Sequence, residues 1–226
     1  MKKVLIAVPC MNQVPAEFAD SLARLTAYGL KDFLLGQIFK IGTLIYTSRD
    51  DIAREAIETE ADYVMWFDSD MVFPADTLER LMAHMDKEGV DMVTGLYFRR
   101  VQPFTPVLFD HLEQTDNGIE WSDFTQIPGE LFEVGGCGFG CVLMPTDIFM
   151  AVQSEFGQMF TPMFGAGEDI AFCIRARKLG YHIWCDPTIP LGHVGYNVVT
   201  RNFFLAYQAQ QQEEKDAGES KASVED

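Results

Sequence analysis

Short apolar runs alternating with amphipathic stretches at regular intervals constrain this chain more than any other feature. Val4 to Val8 is a continuous, β-branched-rich run that stops at Pro9, the pattern of a strand buried on both faces. Ala16 to Tyr28 follows, with Phe18, Leu22, Leu25 and Tyr28 at helical spacing. Thr43 to Thr47 reads as a second strand. A helix then opens at Asp50-Asp51, two acids at its positive end, and runs to about Glu60. Tyr63 to Phe67 is a third buried strand, and Pro74-Ala75-Asp76 starts a helix whose stripe is Leu78, Leu81, Met82 and Met85. Asp91 to Phe98 reads as a fourth strand. Strand and helix alternating at this spacing predict an α/β fold with a mostly parallel sheet flanked by helices.

Further on the pattern changes. Arg99 to Glu130 dissolves into Pro, Asp and aromatics, which predicts a smaller region of loops and short antiparallel strands. Glu133 to Met144 is strand-like but broken by glycines. Glu168 to Leu179 is a helix closed by Gly180, and Tyr181 to Cys185 is a last strand. With no internal repeat and no linker, residues 1–207 read as one domain. The segment 208–226 is mostly Gln, Glu, Asp, Lys, Ala and Ser with a single Val, and is expected to be a disordered acidic tail.

Charge narrows the function. The chain has 226 residues, with 34 acids against 17 Lys and Arg, a formal charge of −17. The six acids and two bases of 208–226 account for −4 of this, leaving −13 on the body. A body this acidic argues against nucleic acid or anionic membranes as partners, which need a basic footprint. If it handles phosphates, a cation should help. Five cysteines cannot all pair and form no C-x-x-C motif, so a reducing, cytoplasmic setting is expected. The apolar start ends at Pro9, far short of the ~20 residues of a membrane span.

Three places carry chemistry. Asp68-Ser69-Asp70 stops the third strand dead, and ligands of open α/β sheets collect at the carboxyl ends of strands. Two carboxylates two residues apart there can share Mg²⁺ or Mn²⁺, whereas a mere acid pair would only cap the following turn. Gly167-Glu168-Asp169 begins a helix after a glycine-rich approach from Phe164, which lets a ligand come close to the acids. By itself such a pair is ordinary helix-dipole chemistry. His193 sits between glycines in Gly192-His193-Val194-Gly195 and is accessible for ligation. His84, His111 and His182 carry no such context. Tyr97, Phe98, Trp121 and Phe124 are aromatic enough to stack on a sugar, but are read first as core.

Strand, D-x-D, helix, then Gly167-Glu168-Asp169 opening Ile170 to Tyr181, then a strand, Pro187 and a glycine-flanked His, resembles a nucleotide-sugar-dependent glycosyltransferase of the GT-A fold, close to the family 2 group. Ser48 to Arg54 leading into Ala61 to Asp70 is similar to that family's approach to its D-x-D. The resemblance spans residues 4 to 200. It implies a donor, a UDP-sugar before other nucleotides, and a glycan, lipid or protein hydroxyl as acceptor. By resemblance, Pro9, Asn12, Ser48, Arg49, Arg54 and Ser69 border the nucleotide, Asp68 meets the ribose and metal, and Asp70 is the main metal ligand with His193 completing the site. It makes Asp169 the general base of an inverting reaction, with Glu168 holding hydroxyls. Gly136 and Gly138, within Gly135 to Gly140, would let backbone approach the donor sugar. The first strand departs from the family, ending in Pro9-Cys10-Met11-Asn12 instead of Pro-x-Tyr/His-Asn.

Two rival readings fit parts of the chain. Asp68-Ser69-Asp70-Met71-Val72 matches the signature of haloacid-dehalogenase-like phosphatases, with Asp68 as nucleophile. That motif normally ends the first strand, whereas two strands precede it here, and the downstream Lys and acid pair are missing. A non-catalytic module binding sugar nucleotides or glycans would bind donor without turnover. A nucleotidyltransferase wants a Gly-rich, basic loop after the first strand, and Met11 to Asp20 has none.

Overall fold

The computed structural model describes residues 1–42, 44–195 and 198–222. The chain runs β1 (Lys3–Cys10), α1 (Ala16–Gly29), β2 (Leu34–Ile41), α2 (Ile45–Glu58), β3 (Tyr63–Phe67), β4 (Met71–Val72), α3 (Thr77–Met82) and β5 (Met92–Gly95). Short strands follow: β6 (Leu108–Phe109), the hairpin β7 (His111–Thr115) and β8 (Gly118–Ser122), β9 (Phe132–Val134), β10 (Gly136–Cys137) and β11 (Cys141–Pro145). The remainder is α4 (Asp147–Phe156), α5 (Glu168–Lys178), β12 (Ile183–Asp186), β13 (Gly192–Val194), β14 (Val198–Thr200) and α6 (Arg201–Ala222).

Seven strands form the main sheet in the order β2-β1-β3-β11-β5-β12-β9. β1 pairs parallel with both β2 and β3, and β5 with β12; β11 and β9 run the other way. Five of the seven strands therefore share one direction, as the alternation predicted. The side-chain period of two explains why the central strands read as unbroken apolar runs. In β3, Val64 and Trp66 enter one core, while Met65 and Phe67 enter the other. The first core holds Ile52, Phe139, Phe149, Phe160 and Phe172 beneath α2, α4 and α5. The second holds Phe18, Leu22, Leu25, Leu78 and Leu81 from α1 and α3.

Two expectations are corrected. The second strand is Leu34–Ile41, and residues 45–47 already belong to α2; Thr43 lies outside the described residues. β2 is an edge strand, where exposed Leu34 and Ile41 alternate with half-covered positions around Gly36 and Gln37, so it lacks the apolar run of a buried strand. The segment after Tyr207 continues as helix to Ala222, where disorder was expected. Its Gln, Glu, Lys and Ala are good helix formers. The helix is anchored at its start, where Phe204 stacks on Phe98 and Phe203 and Tyr207 meet Phe104. Residues 223–226 lie outside the described residues. No described helix is long and apolar enough to cross a membrane.

Candidate functional site

The Asp68-Ser69-Asp70 turn sits at the carboxyl end of β3. Asp68 N–H donates to Gly140 O (3.3 Å), and Met71 N–H donates back to Asp68 O (3.2 Å), so the turn is pinned from both sides. Directly after it, β4 pairs antiparallel with β13, placing His193 opposite Met71, while Val194 N–H donates to Asp70 O (2.8 Å). That small sheet brings together two residues far apart in sequence. His193 Nε2 lies 3.4 Å from Asp70 Oδ1. His193 Nδ1 lies 2.8 Å from Phe98 O. A carbonyl can only accept, so Nδ1 carries a proton and donates to it, which leaves Nε2 as the ring nitrogen facing the carboxylate. The Tyr97 ring meets the imidazole edge-on at 5.6 Å.

Arg100, absent from the expected site residues, binds the other oxygen of the same carboxylate: its Nη1 is 2.7 Å from Asp70 Oδ2. Burial acts to raise the Asp70 pKa, but the hydrogen bond and charge of His193 and the charge of Arg100 outweigh it and hold the group below the usual carboxylate range.

Asp68 has a different partner. Arg49, on α2 and only 1% exposed, donates from Nη2 to Asp68 Oδ1 (2.7 Å) and from Nε to Glu168 Oε1 (3.1 Å). Its guanidinium carbon lies 5.3 Å from the ring centroids of both Trp66 and Phe139. Burial favours the neutral form of this arginine, yet Asp68, Glu168 and Asp169 together more than offset it, so the group stays charged. Nη1 is buried with no partner among the described residues. The expectation that Arg49 borders the nucleotide is thereby corrected: it lies behind the turn and welds the D-x-D to the N-terminus of α5.

Glu168 and Asp169 open α5 after a loop tied at several points. Asp50 accepts from Phe160 N–H (2.9 Å), and buried Arg175 donates to Met159 O (2.7 Å) and Thr161 O (2.6 Å). Met163 and Ala166 exchange both backbone hydrogen bonds, closing a tight turn at Phe164-Gly165. Gly165 there has φ +87°, a conformation glycine adopts at no steric cost. Phe164 at its tip is 98% exposed, a few residues before the acid pair. Asp169 Oδ1 accepts from Ile170 N–H (2.8 Å). Burial of its carboxyl, reinforced by the charge of Glu168 and more weakly of Asp68, pushes the Asp169 pKa up to about 6 against the pull of Arg49 and the Ile170 N–H.

Of the glycines, Gly138 belongs to this site: a Cβ there would lie 2.7 Å from Val107 Cγ1 and 3.4 Å from Asp169 Oδ2, and would clash with Tyr97 Oη. Tyr97 Oη in turn accepts from Gly140 N–H (3.1 Å). Gly136 instead packs against Leu112 and Cys173 beneath the β7–β8 hairpin, so its assigned approach to a donor sugar is corrected.

A cavity of about 400 Å³ opens beside the turn, lined by Pro9, Cys10, Met11, Ser48, Asp68, Ser69, Asp70, Arg100 and His193 along with Gly42 and Ile45. It gathers Pro9, Ser48, Asp68, Ser69, Asp70 and His193 from the expected set. Asn12 and Arg54 are exposed and do not line it. Cys10 is the one cysteine of five that is not buried, and burial pushes even its thiol up. Among the aromatic candidates, Tyr97 and Phe98 are core residues, and Trp121 is 58% exposed.

The donor set beside Asp70 suits a divalent cation, since carboxylate oxygen and an imidazole nitrogen converge there. Among the described residues, however, no group of three His, Cys, Asp or Glu could hold a metal, because Asp68 is turned to Arg49. The expected trio reduces to Asp70 and His193.

Residues 53–151 match the glycosyl transferase family 2 model, a stretch that contains the D-x-D, Arg100 and Gly138 but neither α5 nor His193. The fold is of the GT-A type. Two solved structures carry the same comparison across most of the chain. A197 from STIV is 17% identical, with a TM-score of 0.62 over 86% of each chain. GalNAc-T7, solved with UDP, GalNAc and Mn²⁺, is 10% identical with a TM-score of 0.56; the alignment covers 86% of this chain and 44% of that one. No curated protein matches in sequence. Together the family 2 match and the GT-A fold support glycosyl transfer in general.

Proposed function

We propose that this chain transfers a sugar from a nucleoside-diphosphate sugar, a UDP-sugar first, to an acceptor hydroxyl with inversion. The observation that carries the reading is the Arg49 bridge, which fixes the D-x-D turn and the Glu168–Asp169 pair as one site. In this reading the nucleotide lies in the cavity between Pro9 and Ser48 on one side and Asp68, Ser69 and Asp70 on the other. Asp169 takes the acceptor's proton as its oxygen attacks the anomeric carbon, and the bond to the diphosphate breaks. A base poised at about 6 is ionised at neutral pH yet binds a proton better than an ordinary carboxylate. Gly138, which has no side chain, lets its backbone pack between Tyr97, Val107 and Asp169 Oδ2. Glu168, held by Arg49, serves as a hydroxyl acceptor. Mn²⁺ or Mg²⁺ held by Asp70 and His193 would supply Lewis-acid stabilisation of the departing diphosphate.

The test is calorimetric titration with UDP and GDP, with and without Mn²⁺, followed by a nucleotide-release assay on a panel of UDP-sugars. Binding of UDP and slow release from one donor are expected. The phosphatase reading instead predicts phosphate release from phosphomonoesters that Asp68→Asn abolishes, and the binding-module reading predicts UDP-sugar affinity with no release. No binding of any nucleoside diphosphate would refute the proposal.

A further inference from the structure

The two arginines at the D-x-D turn are built differently, and the difference has a consequence. Arg49 is 1% exposed, bonded to two carboxylates and enclosed by two aromatic rings, so it has nowhere to go. The Arg100 side chain is 49% exposed and projects into the cavity. Its stem lies over Gly195, where a Cβ would sit 3.3 Å from Arg100 Cβ, so the arginine can lean on bare backbone. Among the described residues its guanidinium makes a single close contact, to Asp70 Oδ2 at 2.7 Å, with Val194 O at a marginal 3.5 Å. Among the described residues lining the cavity, Arg100 is the one Lys or Arg.

That contact closes the carboxylate. Asp70 Oδ1 faces His193 and Oδ2 is taken by Arg100, so a cation drawn to Asp70 competes with a guanidinium already in place. A diphosphate entering the cavity offers Arg100 what a lone carboxylate oxygen does not. Its adjacent anionic oxygens match the planar fork of donors, and it carries more charge.

Resting on the nucleoside-diphosphate reading of the cavity, we propose that Arg100 changes partners. With the cavity empty it neutralises Asp70 and holds divalent cations off. When a nucleoside diphosphate enters, its guanidinium turns to the phosphate oxygens and releases Asp70 to the cation. Metal and nucleotide then bind cooperatively, each relieving the same arginine's hold on the carboxylate. Arg100 is also the specificity element that favours a diphosphate over a monophosphate.

The test uses the full chain as parent, Arg100→Ala and Arg100→Lys, titrated with Mn²⁺ alone, with UDP in EDTA, and with UDP in saturating Mn²⁺. Arg100→Ala is expected to bind Mn²⁺ alone at least about tenfold more tightly than the parent, because its carboxylate is uncovered. It should bind UDP in EDTA about tenfold more weakly, the scale of one charge-assisted bond lost. Arg100→Lys, which keeps the charge and loses the fork, should fall between the two for UDP. In the parent, UDP should strengthen Mn²⁺ binding, and in Arg100→Ala that strengthening should shrink. Mn²⁺ affinity no greater in Arg100→Ala than in the parent overturns the proposal, as does unchanged UDP affinity in EDTA. A parent that binds no UDP under any condition overturns the donor reading and the exchange with it. A parent that binds UDP, with both variants behaving identically to it, overturns the exchange alone.

Discussion

Replacing Asp169 by Asn should make the protein more stable and less active at once, and the size of the first effect follows from the site. The carboxyl is raised from 3.8 to about 6, roughly two units, which at 1.36 kcal/mol per unit is about 3 kcal/mol. Between those two values the folded chain keeps a proton that the unfolded chain has already lost. Stability therefore declines as pH rises through this window, and the full cost is present above about pH 6. The charged groups responsible are Glu168 on the same helix, Asp68 at the end of β3 and the opposing Arg49 on α2; Tyr97 and Cys137, both buried, sense the Asp169 charge. Asn cannot ionise but can still accept from Ile170 N–H. At pH 8, Asp169→Asn should gain up to about 3 kcal/mol, a rise in Tm of about 6–12 °C for a chain of this size. At pH 4 most of that gap should close. Paired thermal melts of parent and variant at the two pH values check this. Transfer measured on the same samples should fall at least about 100-fold, the lower end of general-base contributions. Equal melting temperatures at pH 8 would mean that the carboxylate is well solvated and the electrostatic reasoning is wrong. A stabilised variant with undiminished transfer would remove Asp169 as the base.

Two further changes probe the framework. Arg49→Met should cost about 3–5 kcal/mol by leaving Asp68 and Glu168 without their shared cation, read by urea denaturation; a loss below about 1 kcal/mol would mean the bridge contributes little to the fold. Gly138→Ala should lower kcat and cost about 1–3 kcal/mol, because its methyl group would press on Tyr97, Val107 and Asp169; unchanged turnover would mean nothing reacts on that side of the carboxylate.

The central strands were legible because strands buried on both faces must be continuously apolar, as β1 and β3 are. The edge strand β2 was not, since one half of its pleat meets solvent and its alternation is blurred by Gly36 and Gln37. α4 went unread because its apolar residues follow directly on the strand-like run ending at Met144. Within the site, the D-x-D and the acid pair could be found because each marks the end of a regular element. The partners could not. Whether Asp68 faces a metal or an arginine depends on α2 packing behind β3, with Arg49 and Asp68 19 positions apart in sequence and Arg49 and Glu168 119 positions apart. Arg100 follows Arg99 in a stretch that reads as solvated loop, and only the β4–β13 pairing brings Asp70 and His193 to it.

The distribution of thiols has a practical corollary. Cys137, Cys141, Cys173 and Cys185 are buried, so a maleimide or iodoacetamide added to the folded chain meets a single target, Cys10, on the wall of the cavity. Its raised pKa leaves little thiolate at neutral pH, so labelling is slow there and accelerates in mild alkali. Anything that fills the cavity covers that sulfur. The rate of alkylation is thus an occupancy gauge supplied by the native sequence, usable before any substrate has been identified and without altering a residue.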